Sequence, residues 1–195
     1  QTMIVSDLIP HIDATYRTIA KREARAIEGF SMGGAGAAKI GFRYPELFGV
    51  VSILAGALHD ADSIVSETNK SRSDAFVEIY GGSRDYFQST SPWVWAEKNA
   101  DAIRGKTRVR VMVGDQDPLL PRVSAYHEKL GRLEISHEFE VIKGAGHNVS
   151  RLYSGLGDRY VAFISEAFAK SIVGTQGPMR GGKEKENAAD AGIRQ

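Results

Sequence analysis

The sequence predicts an α/β fold, a mostly parallel sheet flanked by helices, and three observations predict it. Strand-like and helix-like stretches alternate through the body of the chain. The run Val50-Val51-Ser52-Ile53-Leu54 is apolar almost throughout, as suits a strand covered on both faces. The pentapeptide Gly29-Phe30-Ser31-Met32-Gly33 stands between a short strand, 25–29, and a small-residue helix, 32–43. A sharp turn there presents the serine hydroxyl at the C-terminal edge of a parallel sheet.

The elements follow in order. Ile4, Leu8, Ile12, Tyr16 and Ile19 form a helical stripe, so residues 3–22 are expected to be helical, with Asp7 as cap and Pro10 in the first turn. Tyr44-Pro45-Glu46 ends helix 32–43, and strand 50–54 follows. From about residue 59 to 106 the periodicity is lost. Polar clusters, Gly81-Gly82-Ser83, and a helix capped by Ser91 with Pro92 at its first position predict a helical excursion. Alternation then resumes with strand 108–113, helix 121–133 (Val123, Tyr126, Leu130 and Leu133 on one face), strand 137–142 and helix 151–172. Residues 174–195 are rich in Gly, Ala and charge and read as a disordered tail, leaving one domain over 1–173.

Composition narrows the function. With 195 residues and 42% apolar content, the chain can bury one substantial core. Its 25 basic and 24 acidic side chains give a net charge of +1, which offers no electrostatic case for a nucleic-acid or membrane partner. The longest apolar stretch, around Val50 to Leu58, is about half the ~20 residues a membrane span needs. The absence of cysteine removes disulfides, thiolate metal sites and cysteine nucleophiles, and says nothing of compartment. No secretory leader opens the chain, and its start, Gln1-Thr2-Met3, reads as that of a fragment or processed piece.

The chemistry is concentrated at strand ends. Gly29 and Gly33 are expected where a Cβ would clash with the neighbouring strand and helix, leaving Ser31 as a candidate nucleophile. Strand 108–113 ends in Gly114-Asp115-Gln116-Asp117-Pro118, and strand 137–142 ends in Gly144-Ala145-Gly146-His147. A hydroxyl, a carboxylate and an imidazole thus follow three strand ends in the order Ser, Asp, His, with the acid open between Asp115 and Asp117. The other histidines point elsewhere: His11 to solvent, His127 beside Glu128 to the surface, His137 to the core or sheet edge. His59-Asp60-Ala61-Asp62 resembles a metal-ligand cluster, but no further ligand is placed, so no metal is expected. Gly33-Gly34-Ala35-Gly36 lacks the lysine of a phosphate loop and the dinucleotide spacing, so no cofactor is expected. Tyr80, Phe87, Trp93 and Trp95 lie in the excursion, where they either wall a site for a bulky acyl or aryl group or anchor the excursion's own core.

The stretches from Leu8 to Thr18, from Arg25 to Gly34 (Arg-Ala-Ile-Glu-Gly-Phe-Ser-Met-Gly-Gly) and Tyr44-Pro45-Glu46-Leu47-Phe48 resemble the α/β-hydrolase esterases of the feruloyl-esterase, enterochelin-esterase and esterase D type. The resemblance covers roughly residues 3–172. It implies Ser31 as nucleophile, His147 as base, Asp117 as acid (three residues past the strand-end Gly114, leaving Asp115 to the turn), and the Met32 N–H as oxyanion donor. It also implies a small-molecule ester as substrate. Members of this family carry further N-terminal strands and a loop with a second oxyanion donor, so the chain reads as a partial fold. Strand 25–29 is then an exposed edge that templates pairing with a second copy or with a missing N-terminal piece, hence an expected homo-oligomer. Loss of one oxyanion donor lowers turnover by about 10²–10³. Two further readings are a catalytically silent assembly module and an acyltransferase like the mycolyl-transferring relatives.

Overall fold

The structure, a computed structural model, describes residues 2–65, 68 and 70–173. The expected tail, 174–195, lies outside the described residues. The chain enters through a π-helical turn, Met3–Leu8, that runs into helix α1 (Ile9–Thr15), and a 3₁₀ turn, Arg22–Ala24, leads to strand β1 (Ala26–Phe30). Helix α2 (Met32–Arg43) and strand β2 (Val50–Leu54) follow, then five short helices: α3 (Ala61–Val65), α4 (Lys70–Tyr80), α5 (Arg84–Thr90), α6 (Pro92–Lys98) and α7 (Ala100–Ile103). Strand β3 (Arg108–Gly114), helix α8 (Leu120–Arg132), strand β4 (His137–Ile142) and helices α9 (Val149–Leu156) and α10 (Asp158–Val173) complete the body. Among the described residues the strands form one parallel sheet in the order β1-β2-β3-β4.

The register sorts the side chains onto two faces. Ile27, Val51, Val109 and His137 stand in one row across the sheet, and Glu28, Ser52, Arg110 and Glu138 in the next. The first row faces α2 and α8: Ile27 and Val51 crowd the helix at Gly41, and His137 meets His127. The second row faces α10, whose Tyr160 and Phe163 rings cover Arg110. Both inner strands, β2 and β3, are almost wholly buried, whereas every residue of the edge strand β1 is half-exposed. Two covered faces explain why β2 reads as an almost continuous apolar run, whereas β3 alternates at its start, Arg108-Val109-Arg110, before the apolar Val111-Met112-Val113.

The second row contains a buried ionic knot. Arg110, 1% exposed, donates to the Ser52 hydroxyl, to Glu28 Oε2 (3.1 Å) and to the Tyr160 carbonyl. The Tyr160 hydroxyl donates to Glu28 Oε1 at 2.6 Å. Burial draws the guanidinium pKa down and the Glu28 carboxylate opposes that pull. The knot ties the edge strand, two inner strands and the last helix together.

Several expectations need correction. The N-terminal helix ends at Thr15 rather than residue 22, because Tyr16 is extended (φ −117°, ψ 160°). Asp7 makes no capping bond; Leu8 occupies the cap of α1, and it is Asp13 that anchors the segment, pairing with Arg25 at 2.6 Å. The expected single helix 151–172 is broken at Gly157, whose φ of 55° suits glycine. His127 is not a lone surface group: its Nδ1 lies 2.6 Å from His137 Nε2, and its ring stacks on Phe139. His137 Nδ1 faces the Ile135 carbonyl and must carry its proton, so His127 Nδ1–H is the donor between the rings. Burial, with His137 adding to it, lowers the His127 pKa, and Glu128 opposes that pull.

Candidate active site

The candidate nucleophile sits at a strained turn. Ser31 has φ 57° and ψ −117°, a conformation L-residues seldom adopt, held by its N–H to the Leu54 carbonyl (2.9 Å) and by its carbonyl accepting from Ala35 and Ala57. The reason only glycine fits at position 29 is steric: a Cβ there would stand 2.1 Å from the Gly33 carbonyl oxygen. Gly33 itself departs from expectation, since a Cβ on it would meet nothing within 4 Å. The close approach belongs to its neighbour Gly34, where a Cβ would fall 2.8 Å from the Leu54 carbonyl oxygen. The helix presses onto the sheet through Gly34, while Gly33 faces open space.

Two other loops reach the same rim. The Asp117 side chain is buried and its Oδ1 accepts the Leu119 N–H at 2.8 Å. Its Oδ2 lies 2.8 Å from His147 Nδ1, and His147 Nε2 lies 2.8 Å from Ser31 Oγ. A carboxylate only accepts, so Nδ1 carries the ring proton and Nε2 presents a lone pair to the serine hydroxyl. Residues 31, 117 and 147, read from three separate strand ends, therefore converge. Asp115 does something else: it is exposed, and its Oδ1 accepts the Gly144 N–H at 2.8 Å, fastening its own loop to the histidine loop. Gln116 N–H adds a bond to the Ala145 carbonyl.

Phe30 was not singled out by the sequence, yet its ring centroid is 4.6 Å from that of His147. Alternation puts the residue before the serine on the same strand face as Glu28, and the loop after β4 brings the imidazole to it. Met32 opens α2, where the first N–H groups have no intrahelical acceptor, and the residue is 81% exposed. Its N–H is therefore available beside Ser31.

The four aromatic candidates divide. Tyr80 and Phe87 line a cavity of about 460 Å³ that abuts Met32 and Ala57. Trp93 does not line it: its Nε1–H donates to the Leu58 carbonyl and its ring packs edge-on against the buried Tyr126. Trp95 does not line it either: its Nε1–H donates to the Ser89 carbonyl, its ring lies under the cations of Arg43 and Lys98, and it borders a separate cavity with Lys39 and Tyr80. The two tryptophans are anchors of the helical excursion. The acidic cluster after His59 is likewise used locally: Asp60 accepts the Ser63 N–H, and Asp62 pairs with Arg84. Among the described residues no group of three or more His, Asp or Glu is placed to hold a metal ion.

Comparison with known proteins bears on the same region. The family described as "Putative esterase" matches residues 1–165. Esterase Rv1288 of Mycobacterium tuberculosis is 29% identical over 168 residues, covering 75% of this chain and 36% of the relative. Among solved structures, a ferulic acid esterase superposes with a TM-score of 0.64 at 24% identity, over 86% of this chain and 61% of that one. An S-formylglutathione hydrolase from Agrobacterium tumefaciens superposes with a TM-score of 0.65 at 20% identity, over 86% and 57%. The chain thus spans about a third of the curated relative and about six-tenths of the solved ones. Strand-turn-helix at Ser31, the parallel order of the sheet and the match over most of its length agree: the chain has an α/β-hydrolase fold and belongs to the Esterase family.

Proposed function

We propose that the protein is a serine carboxylic-ester hydrolase working through Ser31, His147 and Asp117. The observation that carries this reading is the position of His147, 2.8 Å from the serine oxygen on one side and 2.8 Å from a buried carboxylate on the other. His147 Nε2 takes the Ser31 proton as Oγ bonds to the ester carbonyl carbon, and the Met32 N–H faces the developing oxyanion. The imidazolium, held by Asp117, returns the proton to the departing alcohol as the carbon–oxygen bond breaks. Water then enters along the reverse proton path and frees the acid. The chemistry needs no cofactor, and the substrate is a small-molecule acyl or feruloyl-type ester.

A fluorophosphonate probe tests this. Wild-type protein is expected to be labelled and Ser31→Ala not. Unlabelled wild-type protein would instead favour a silent module that keeps the arrangement without the chemistry. Product analysis with an added alcohol separates hydrolysis from acyl transfer.

Among the described residues β1 has no strand on its outer side, and this edge supports a second part of the reading. An apolar groove of about 560 Å³, bordered by Ile4, Ile12, Ile27 and Ile40, runs beside that edge. Unpaired N–H and C=O groups next to apolar surface favour an added strand, from a second copy or from a segment preceding residue 1. In sedimentation of this chain, the mean mass is expected to rise with concentration through roughly the tens-of-micromolar range. A concentration-independent monomer would count against pairing between copies.

A further inference from the structure

The cavity beside the nucleophile has a polarity that the ester-hydrolase reading does not require. Its floor is one stripe of α2, Met32, Ala35, Gly36 and Lys39, which the helical period sets on a single face. Its roof comes from the excursion, where Phe76, Tyr80 and Phe87 pack against one another. Apolar side chains predominate in its lining, with His59 beside Ala57 as a polar member. At the far end, the half-buried Lys39 ammonium lies 3.3 Å from the Tyr80 hydroxyl and 5.5 Å from the centroid of that ring. Among the described residues that line the cavity there is no Asp or Glu. Among the described residues no carboxylate forms an ion pair with Lys39; its hydrogen-bond partner is a neutral phenol. A half-buried ammonium with a neutral partner keeps capacity for an anion.

Distance sets the shape of a matching ligand. Met32 and Lys39 are separated by about 10 Å along the helix axis, at ~1.5 Å per residue. A group attached to an ester carbonyl at Ser31 must cross the apolar stretch before it meets the cation. We propose that this cavity selects an ester in which the half lying along α2 has an extended apolar body ending in a carboxylate, with Lys39 and Tyr80 as specificity-determining residues. The proposal rests on the assignment of Ser31 as nucleophile for its placement of the carbonyl, and on the cavity alone for its ligand chemistry.

Paired esters of equal length test it. On the acyl side, mono-p-nitrophenyl suberate is compared with p-nitrophenyl octanoate; on the alcohol side, 8-acetoxyoctanoate is compared with octyl acetate. In one of the two pairs kcat/KM is expected to favour the carboxylate about five- to tenfold, since a partly exposed ion pair contributes modestly. That preference should shrink toward parity in Lys39→Met and with added salt. Equal rates in both pairs, or a preference unchanged in Lys39→Met, would overturn the proposal. Calorimetric binding of suberate to Ser31→Ala, with and without Lys39→Met, separates the two readings. If no ester is cleaved but suberate binding still depends on Lys39, the cavity assignment stands and the hydrolase reading falls. If esters are cleaved and suberate binding ignores Lys39, only the cavity assignment falls.

Discussion

Asp117→Asn is expected to lower kcat by about 10⁴ with little change in folding, because an amide in this position forces the wrong histidine tautomer. The direction follows from the second oxygen. Asp117 Oδ1 is occupied by the Leu119 N–H, so an asparagine keeps its carbonyl oxygen there and turns its NH₂ toward His147. Nδ1 must then accept, the ring proton moves to Nε2, and the lone pair facing Ser31 is lost. Asp115→Asn provides the control. Its amide oxygen still accepts the Gly144 N–H, and turnover should stay within about twofold of wild type, as expected of an exposed tie outside the reacting groups. Steady-state kinetics on a p-nitrophenyl ester and a thermal melt separate the two variants. Equal loss in both would remove Asp117 from its assigned role.

The second large effect concerns stability. Arg110→Met removes the cation from the knot joining β1, β2, β3 and α10 and strands the Glu28 carboxylate beside the Tyr160 hydroxyl. Breaking a buried pair from one side costs about 3–5 kcal/mol. Glu28 is partly open to solvent, which favours the lower end of that range. For a domain of this size, the corresponding fall in Tm is roughly 10 °C. Adding Glu28→Gln should restore part of the loss, since the uncompensated charge is gone, and thermal unfolding of the two single variants and the double variant measures the coupling. A single variant melting within a degree of wild type would show that the knot contributes nothing net.

The sequence made the site more legible than its surroundings, for physical reasons. A serine at positive φ between a strand and a helix demands glycine where backbones touch, and Gly29 records that demand directly. The strand ends at Gly114 and Gly144 marked where the carboxylate and imidazole leave the sheet. The distinction between Asp115 and Asp117 came from family resemblance; spacing alone left it open, and only the partners, Gly144 N–H for one and His147 for the other, give it a physical basis. The Arg110 knot was hidden because its members come from four elements and meet only through register. The His127–His137 contact was hidden for the same reason. Trp93 and Trp95 show the opposite failure: aromatic side chains in an irregular segment look alike in sequence, and their contacts alone decide whether they wall a site or brace a helix.

The stitching of the two loops past β3 and β4 has a mechanical meaning. Asp115 grips Gly144, Gln116 grips Ala145, and the backbone at Gly114 lies so near Ala145 that no side chain could intervene. Acid and base are therefore fastened to each other by backbone ties as well as by their own hydrogen bond. Pulling the imidazole away from the carboxylate would require breaking those ties too, so the orientation of the proton acceptor is secured by the loops and not by one side-chain contact alone.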